Sequence, residues 1–446
     1  MKSDKLFLNS PSEKLFDTIL RGEEIYLFSK SGKKYMDMSG GFTSHAILGW
    51  GNKKIQNAMI NQIKKISHTD YKSFLHPARE KLSKILLSKC ESSLSKIYLV
   101  SSTGGEACEV AMKMSFQYHQ LNGSREKKYF ISRQQSYHGC TTDSISLGDR
   151  KNLNFYKSLM PKNKYKINEH NIYRHKRKNE TEDDYAKRSA HDLEKKILSI
   201  GPEKICGFVG ETIMGGLVGD VPPAKNYWKY IRKICSKYNV HLILDEVWCG
   251  TGTSGKIYCI DWDGVNPDLV FMGKTLSAGY APISAVAATK KFENLLIKNK
   301  SKIEYSNTHQ GHLLGVVAAL EAQKIIHEKT FLKKVQDNGN YLRKIVNEEL
   351  RNSDFFFNIR GRGLRNSVEY KCKKQHLFGI ELSNILREKH KIFLSGKWHR
   401  IGIAPAINIR RKYLNYFLEI FIKEFLNLSS SWTNKRIRRI KNKSFF

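Results

Sequence analysis

Two apolar runs of strand length in the middle of the chain each end at an ionisable side chain. Asp245 follows Val240–Leu244, and Lys274 follows Leu269–Met272 after a single glycine. Such runs are typical of parallel strands buried on both faces, and ligands of open α/β sheets lie just outside the carboxyl ends of the strands. We therefore expect a carboxylate and an amine at the rim of one crevice. Together they suit a cofactor with a protonated ring nitrogen and a covalent anchor, which is the chemistry of pyridoxal 5′-phosphate (PLP).

Each of the two side chains has a defined part in that chemistry. Asp245 would keep a pyridine nitrogen protonated, because an opposite charge within about 4–6 Å favours the charged form. Lys274 precedes a loop of small residues, Thr-Leu-Ser-Ala-Gly. An amine held there can form a Schiff base, and once displaced it can carry a proton to and from a substrate carbon. The plainer alternatives are that Asp245 caps a helix or turn and that Lys274 is one lysine among many.

A phosphate site and a stacking ring are the other candidates. Gly104 and Gly105 follow a predicted strand and open a predicted helix, so their amides could bind an anion. Tyr137, in the motif Gln-Ser-Tyr-His-Gly, follows another strand and could stack on a flat heterocycle. Ser/Thr-Gly turns before helices are mostly caps, and a single Tyr is mostly a half-buried loop residue. Both alternatives stay open at this point.

The elements that would position these residues alternate between strands and helices from Lys96 to about Ala288. This alternation predicts an α/β domain with a mostly parallel sheet and right-handed crossovers. The predicted elements are strands at Ile97–Ser101, Tyr129–Ser132, Ile205–Glu211, Val240–Asp245 and Asp268–Met272, and helices at Ala107–His119 and Tyr227–Tyr238.

The remainder of the chain predicts a second, smaller lobe. Helical spacing occurs at 52–66, 311–328 and 330–350, and strands are predicted at 355–359, 364–370 and 401–403. The segment 150–190 is polar and basic, and we interpret it as a long surface excursion. The last dozen residues are interpreted as a frayed basic tail. We expect an N-terminal segment at 1–70 contributing to the small lobe, a large domain at 71–325 and a C-terminal small domain at 326–446.

Composition excludes several classes of protein. The chain has 446 residues, 77 basic and 42 acidic side chains, and a net charge of +35. It contains no apolar run long enough to span a membrane and no apolar core of a secretory signal at its N-terminus. Its eight cysteines show no metal-ligand spacing, so we expect no metal site and a reduced, cytoplasmic location. The dispersed lysines favour coding bias over a nucleic-acid partner, while an acidic carrier protein remains a possible partner.

Several motifs in order along the chain resemble those of class III aminotransferases, PLP enzymes of fold type I. They extend from about Gly22 to about Ile409 and are Ser-Thr-Gly-Gly-Glu-Ala-Cys-Glu, Ser-Tyr-His-Gly-Cys-Thr, Gly210-Glu211, Leu-Asp-Glu-Val, Pro-Asp-Leu-Val-Phe-Met-Gly-Lys, Asn-Thr-His-Gln-Gly-His and Arg-Gly-Arg-Gly. The resemblance implies a large domain with a mostly parallel sheet flanked by helices, and a smaller α+β lobe built from both chain ends.

The same resemblance implies roles for the matching residues. Lys274 would carry the cofactor as an imine, Asp245 would face the pyridine nitrogen, and Val247 would pack on the ring opposite Tyr137. The other implied cofactor-binding residues are Gly104 and Gly105 at the phosphate, His138, Glu211 on the substrate side, and Thr308. Thr308 would reach the phosphate of the neighbouring subunit, so a homodimer with shared sites is implied.

Three departures from the family pattern affect the substrate side. The usual arginine after the Asp-Glu strand is missing from Cys249–Gly255, and Gly-His near the first lobe is Gly49-Trp50 here. The C-terminal arginine occurs as Arg400, two residues upstream of its expected place. A guanidinium there suits bidentate capture of a substrate carboxylate, and the alternative is an arginine on a surface strand. Phe42 is a further candidate for the substrate pocket.

The predicted function is therefore transfer of an amino group from an amino acid or amine to a keto acid or aldehyde, with ping-pong kinetics. A racemase or epimerase, or a decarboxylase of dialkyl amino acids, would use the same lysine, aspartate and phosphate site. A catalytically silent binding protein of this fold is the alternative from another class.

Overall fold

A computed structural model describes residues 17–397, 399–434, 436–437 and 440. The described strands form three sheets, one of seven strands and two of four. The first part of the chain supplies an antiparallel meander and two helices. Its elements are β1 (Ile19–Glu23), β2 (Tyr26–Ser29), β3 (Lys34–Asp37), α1 (Lys53–Ile63) and α2 (Pro77–Ser88).

The seven-stranded sheet is the centre of the large domain. Its strands are β4 (Leu94–Val100), β5 (Tyr129–Arg133), β6 (Lys164–Ile167), β7 (Ile205–Glu211), β8 (His241–Asp245), β9 (Leu269–Met272) and β10 (Ser284–Thr289), in the order β4-β10-β9-β8-β7-β5-β6. The neighbours from β6 to β9 pair in parallel, whereas β10 is antiparallel to both β9 and β4. The predicted mostly parallel sheet is confirmed.

Helices cover both faces of this sheet, and every residue of β7, β8 and β9 is buried. Strands with apolar residues on both faces need cover on both sides, because neither face can be left in water. The helices in this part of the chain are α3 (Gly104–Leu121), α4 (Thr142–Leu147), α5 (Ile172–His175), α6 (Glu182–Ile200), α7 (Tyr227–Lys237), α8 (Lys290–Lys298) and α9 (Leu313–Ile326). None of the helices in the described ranges has the length and apolar character that crossing a bilayer requires.

The C-terminal part of the chain forms the second lobe, as predicted. Its elements are α10 (Phe331–Leu350), β11 (Phe356–Arg362), β12 (Arg365–Tyr370), α11 (Gln375–His390), β13 (Ile392–Phe393), β14 (Ser395–Lys397), β15 (Arg400–Ile403) and α12 (Arg411–Ser430). Strand β13 pairs in parallel with β3, so the two ends of the chain share a sheet. The domain limits at residues 70 and 325 stay predictions. Most of the predicted basic tail lies outside the described residues.

The interpretation of 150–190 as a surface excursion is wrong for several positions after residue 163. Residues 151–159 do form an exposed 3-10 helix, but β6 then pairs with β5 as the edge of the central sheet. His170 is buried and stacks on Tyr227 with ring centroids 3.7 Å apart. The Tyr185 hydroxyl, also buried, accepts a hydrogen bond from the amide of Asn171 at 2.8 Å. These few core positions gave no clear apolar periodicity, because they are separated by many lysines and other polar residues.

Candidate active site

Asp245 ends β8 at the carboxyl edge of the parallel strands, where the sequence predicted it. Its neighbour across the strand pair is Glu211, the last residue of β7. Both carboxylate oxygens of Asp245 are engaged: Oδ1 accepts from the amide of Val247 at 2.9 Å, and Oδ2 lies 2.8 Å from Nδ1 of His138. The group is only 5% exposed. These contacts fix the orientation of a buried acid at the sheet edge.

Lys274 lies at the same edge, two residues beyond the end of β9. Its φ of 38° is in the left-handed region, which costs a non-glycine residue roughly 1–3 kcal/mol and occurs mostly at functional sites. The Nζ atom lies 4.5 Å from the ring centroid of Trp248. The preceding residue, Gly273, packs so closely on the start of α3 that an added Cβ would lie 3.2 Å from the amide nitrogen of Gly104. The lysine loop and the glycine turn are therefore neighbours.

Three glycines keep the backbone around the start of α3 open. An added Cβ on Gly104 would lie 2.6 Å from both Cγ atoms of Val247, and one on Gly139 would lie 2.5 Å from Cα of Gly105. The hydroxyl of Thr103 caps the helix by accepting from the amide of Glu106 at 3.3 Å. Amides of a first helical turn attract anions, because they lack partners inside the helix and form the positive end of its dipole. The predicted phosphate site fits this geometry.

Gly104, Gly105 and Gly139 together form a glycine cradle, and replacing Gly139 with alanine will disrupt its packing. The residue has a φ of 137°, and its new Cβ would collide with the backbone of Gly105. We expect the free energy of unfolding to fall by about 1–3 kcal/mol and the affinity for PLP to fall with it. Urea unfolding and titration of the apoenzyme with PLP measure the two effects. Gly123→Ala is the control, since Gly123 has a positive φ but open space around it; equal losses in both variants would refute the collision.

Glu211 connects Tyr137 to the loop after β7. Its Oε1 accepts from the amide of Tyr137 at 3.0 Å and its Oε2 from the amide of Gly215 at 2.8 Å. Burial raises the pKa of this carboxyl above its ordinary value. The ring of Tyr137 has the guanidinium of Arg150 at 5.5 Å from its centroid. Glu211 thus holds the position of Tyr137 through the backbone.

His138 is buried between Asp245 and Phe271 of β9. Its Nδ1 contacts Asp245, and its ring lies edge-on to Phe271 at a centroid distance of 6.4 Å. Its Nε2 is buried and has no hydrogen-bond partner within the described part of the chain. The second nitrogen therefore remains available for a group that the protein itself does not provide.

Glu246, the partner of Asp245 in the Asp-Glu pair, points away from the site, as alternation along a strand requires. It accepts from the amides of Cys259 at 2.6 Å and Ile260 at 2.8 Å and from the hydroxyl of Thr212 at 3.1 Å. Burial nevertheless raises its pKa to about 8, because removal from water outweighs these donors. Glu246 is a structural acid.

The free energy of unfolding should depend on pH because of the buried acid Glu246. The folded protein holds the Glu246 proton more tightly than the unfolded chain does. The contribution of this proton to the free energy of unfolding is therefore fully present below pH 4.5 and is lost as pH rises through about 8. Between pH 6 and pH 8 the loss amounts to about 2–3 kcal/mol. Glu246→Gln should remove this slope in urea unfolding, whereas the exposed Glu349→Gln should keep it. An unchanged slope in the Glu246 variant would show that the acid is ionised in the folded state.

The remaining predicted residues lie around this centre in different settings. Phe42, on the turn after β3, is 44% exposed and contacts Phe393 at a centroid distance of 5.8 Å. Thr308 is exposed in the loop before α9, and its carbonyl lies 2.8 Å from Nε2 of His68. Arg400 is buried, so the surface-strand alternative is wrong; its Nη2 donates to the carbonyl of Gly216 at 2.8 Å.

Two residues near Lys274 were missed by the sequence analysis. Trp248 lies beside the lysine, and its Nε1 donates to Oδ1 of Asp220 at 2.7 Å. Arg365, the first residue of β12, places its guanidinium carbon 4.1 Å from the centroid of the same indole. The only available signal was that both are large side chains next to recognised motifs, and nothing local indicated their contact.

The residues present fit PLP. A buried carboxylate for the ring nitrogen, an amine for the covalent link and a glycine cradle for the phosphate meet at one sheet edge. The buried and unpartnered Nε2 of His138 adds a polar atom that a bound group could satisfy. This set of parts defines an enzyme that anchors an anionic, nitrogen-containing aromatic aldehyde.

Comparison with known proteins gives the family. Residues 8–425 match the family model for class III aminotransferases. An uncharacterized aminotransferase of Schizosaccharomyces pombe is 34% identical over 438 residues, 95% of each protein. Gamma aminobutyrate transaminase 2 of Solanum lycopersicum is 28% identical, over 95% of this chain and 93% of that protein. The omega transaminase of Pseudomonas jessenii, solved in complex with PMP, has a TM-score of 0.86 at 27% identity over 93% of each chain.

The chain belongs to the class III aminotransferase family. Its cofactor is PLP and its reaction is the transfer of an amino group between a small-molecule amino donor and a carbonyl acceptor. The predicted family, fold class, enzyme class and cofactor are confirmed. The roles of individual residues remain predictions.

Proposed function

We propose that Lys274 is the covalent anchor and proton carrier of this aminotransferase, and that Asp245 is the counter-ion of the cofactor ring. The observation that carries the proposal is the position of both groups at the ends of neighbouring strands β8 and β9, beside a glycine cradle that opens α3. Ligands of such sheets bind at this edge.

The chemistry is divided between cofactor and protein. When bound, PLP supplies an aldehyde carbon for the substrate amine and a ring that withdraws electrons from the substrate carbon. Lys274 Nζ, displaced by the incoming amine, would take the proton from the amine-bearing carbon of the donor and would deliver it to the carbon that the cofactor aldehyde supplies, since return to the donor carbon would give racemisation instead. Its position near Trp248 and its strained backbone restrict the directions in which the amine can move.

Asp245 acts through its charge. A buried carboxylate keeps a pyridine nitrogen protonated, and the contacts with His138 and with the amide of Val247 prevent it from rotating away. Gly104 and Gly105 bind the phosphate, Tyr137 and Val247 enclose the ring, and Glu211 holds Tyr137 on the substrate side. His138 is the remaining cofactor-binding residue of the proposal.

The substrates are proposed to be small amines and carbonyl compounds that carry a carboxylate. Among the relatives, one is named gamma aminobutyrate transaminase, one is named omega transaminase, and one from Capsicum chinense is named vanillin aminotransferase. Arg400 and Phe42 are the proposed substrate-side residues from the second lobe and the N-terminal turn. The guanidinium of Arg400 is buried close to the loop that follows Glu211, which supports this placement.

We also propose a homodimer in which Thr308 reaches the phosphate of the neighbouring subunit. The exposed position of Thr308 supports this.

A cytoplasmic location is supported by eight cysteines that are all unpaired. An acidic carrier protein is the proposed type of further partner, on the basis of the net charge of +35.

Steady-state kinetics with a panel of donors tests the proposal. Alanine, 4-aminobutyrate and a simple amine would be combined with pyruvate and 2-oxoglutarate as acceptors, and initial-rate plots should run parallel. Incubation with single enantiomers without a keto acid, and measurement of carbon dioxide release, test the racemase and decarboxylase alternatives. Intersecting plots, racemisation or decarboxylation as the main activity would contradict the proposal.

A further inference from the structure

The guanidinium of Arg365 is buried but only partly used by the protein. Nε and Nη2 donate to the carbonyl of Trp248 at 2.9 and 2.7 Å, and Nη2 also contacts the carbonyl of Ser44 at 3.2 Å. Nη1 is buried and has no hydrogen-bond partner among residues 17–397 or the other described positions. A buried cationic donor without an acceptor is destabilising. An acceptor from outside the chain would remove that penalty.

The carboxylate whose charge favours protonated Arg365 is already engaged elsewhere. Asp220 accepts from Nε1 of Trp248 with one oxygen and from the hydroxyl of Ser367 with the other, both at 2.7 Å. Burial is the larger effect on the guanidinium and lowers its pKa to about 10. Arg365 therefore remains charged at neutral pH and lacks a directly bonded anion.

The indole ring of Trp248 contacts both Arg365 and Lys274. The guanidinium carbon lies 4.1 Å and the lysine Nζ 4.5 Å from the centroid of its indole ring. The ring is held by Asp220 at its nitrogen and by Gly215 along its edge, where an added Cβ would lie 2.7 Å from Cδ1. The same aromatic ring thus contacts both cations, whose guanidinium carbon and Nζ atom are at most about 8.6 Å apart because both lie near one centroid.

Arg400, the arginine chosen from the sequence, also has one nitrogen unpartnered among the described residues, but this nitrogen is not at the end of its guanidinium group. Its Nη2 donates to the carbonyl of Gly216, and its Nη1 lies 3.4 Å from the hydroxyl of Ser367. Only Nε is without a partner in the described chain, and Cδ of the same side chain would lie 2.1 Å from an added Cβ on Gly219. Backbone packing therefore surrounds Arg400, whereas Arg365 keeps a terminal nitrogen for a ligand.

We propose that Nη1 of Arg365 binds the carboxylate of the substrate, and that Trp248 is the positioning residue that sets its distance from Lys274. The inference rests on the proposed function, because Lys274 must be the reacting amine for this distance to matter. It assigns the preferred substrates to amines and carbonyl compounds that bear a carboxylate, in addition to any contribution of Arg400.

Binding of glutarate, a dicarboxylate without a reacting group, tests the assignment directly. Calorimetric titration of the holoenzyme should show glutarate binding at least about 30-fold weaker in Arg365→Met, with Arg365→Lys in between, because removal of one partner of a buried charge pair is costly. Arg362→Met is the matched control. Arg362 faces Arg365 across the β11–β12 hairpin but pairs with Asp263, so its loss should leave glutarate affinity unchanged.

A pair of donors separates carboxylate recognition from a structural effect. In single-turnover reactions, Arg365→Met should lose rate with 5-aminopentanoate and keep it with pentylamine. Trp248→Leu, which keeps the guanidinium but removes its aromatic support, should show a smaller loss of the same kind. Thermal unfolding and the visible absorption of bound cofactor establish that each variant is folded and loaded.

The outcomes discriminate between the two proposals. Glutarate binding that is absent from the wild type, or equal in wild type and Arg365→Met, overturns the role of Arg365. Equal losses with both donors do so as well, because they indicate a structural role only. If the wild type binds glutarate through Arg365 but converts no donor, the transamination mechanism fails and the carboxylate site stands.

Discussion

Replacing Lys274 with alanine will abolish the covalent link to PLP and reduce aminotransferase activity by roughly 10⁴-fold. The variant loses the anchor and the proton carrier together, because both roles belong to the same Nζ atom. The glycine cradle should still bind PLP without a covalent link, so reduction with borohydride, followed by peptide mass mapping, should find no modified lysine.

Lys290→Ala provides the matched control for this experiment. Lys290 is exposed at the start of α8, at the far end of β10 from the active site. Its variant should keep both the covalent adduct and the activity. A reducible adduct that persists at another lysine in Lys274→Ala would show that the anchor was assigned to the wrong residue.

Replacing Asp245 with asparagine will lower activity by about 10²–10³-fold, the range for loss of a preorganised electrostatic contact. Asparagine preserves the shape of the side chain but removes the charge that would keep the ring nitrogen protonated. The visible spectrum of bound cofactor should change with the loss of that proton, which gives a readout independent of turnover.

Asp261→Asn is a suitable comparison for the aspartate variant. Asp261 is also largely buried, and burial raises its pKa to about 6, but its contact is with the amide of Glu91 on another side of the domain. This change should leave the rate and the cofactor spectrum unchanged. Full activity in Asp245→Asn would remove the counter-ion from the mechanism.

The central part of the fold and the candidate site were predictable because local signals were strong there. Strands β7, β8 and β9 are buried throughout and mostly apolar, and the ionisable residue that ends β8 and the one just beyond β9 lie at the predicted edge. Strand β10 gave a weaker signal, since its sequence Ser-Ala-Val-Ala-Ala-Thr has no aromatic or large branched residue apart from one valine. Its antiparallel direction depends on pairing with β4 and β9, which no local pattern encodes.

The substrate side was less predictable, because its contacts join segments that are distant in sequence and no local pattern encodes them. The contact between Arg365 and Trp248 joins the second lobe to the loop after β8, and it depends on a backbone carbonyl as much as on side chains. Sequence motifs pointed to Arg400 because a guanidinium was expected near that position. Only the packed structure shows which donors of each arginine the protein itself consumes.

The pairing of β4 with β10 has a consequence for the purified protein. Ser284 and Val100 are partners in that pairing, and the turn before Lys274 touches the start of α3. These segments are far apart along the chain, so chain-closure entropy must be overcome before they meet. A chain that is collapsed but incompletely assembled would have no place for vitamin B6, and the yellow colour of a preparation therefore reports the fraction of molecules whose topology is complete.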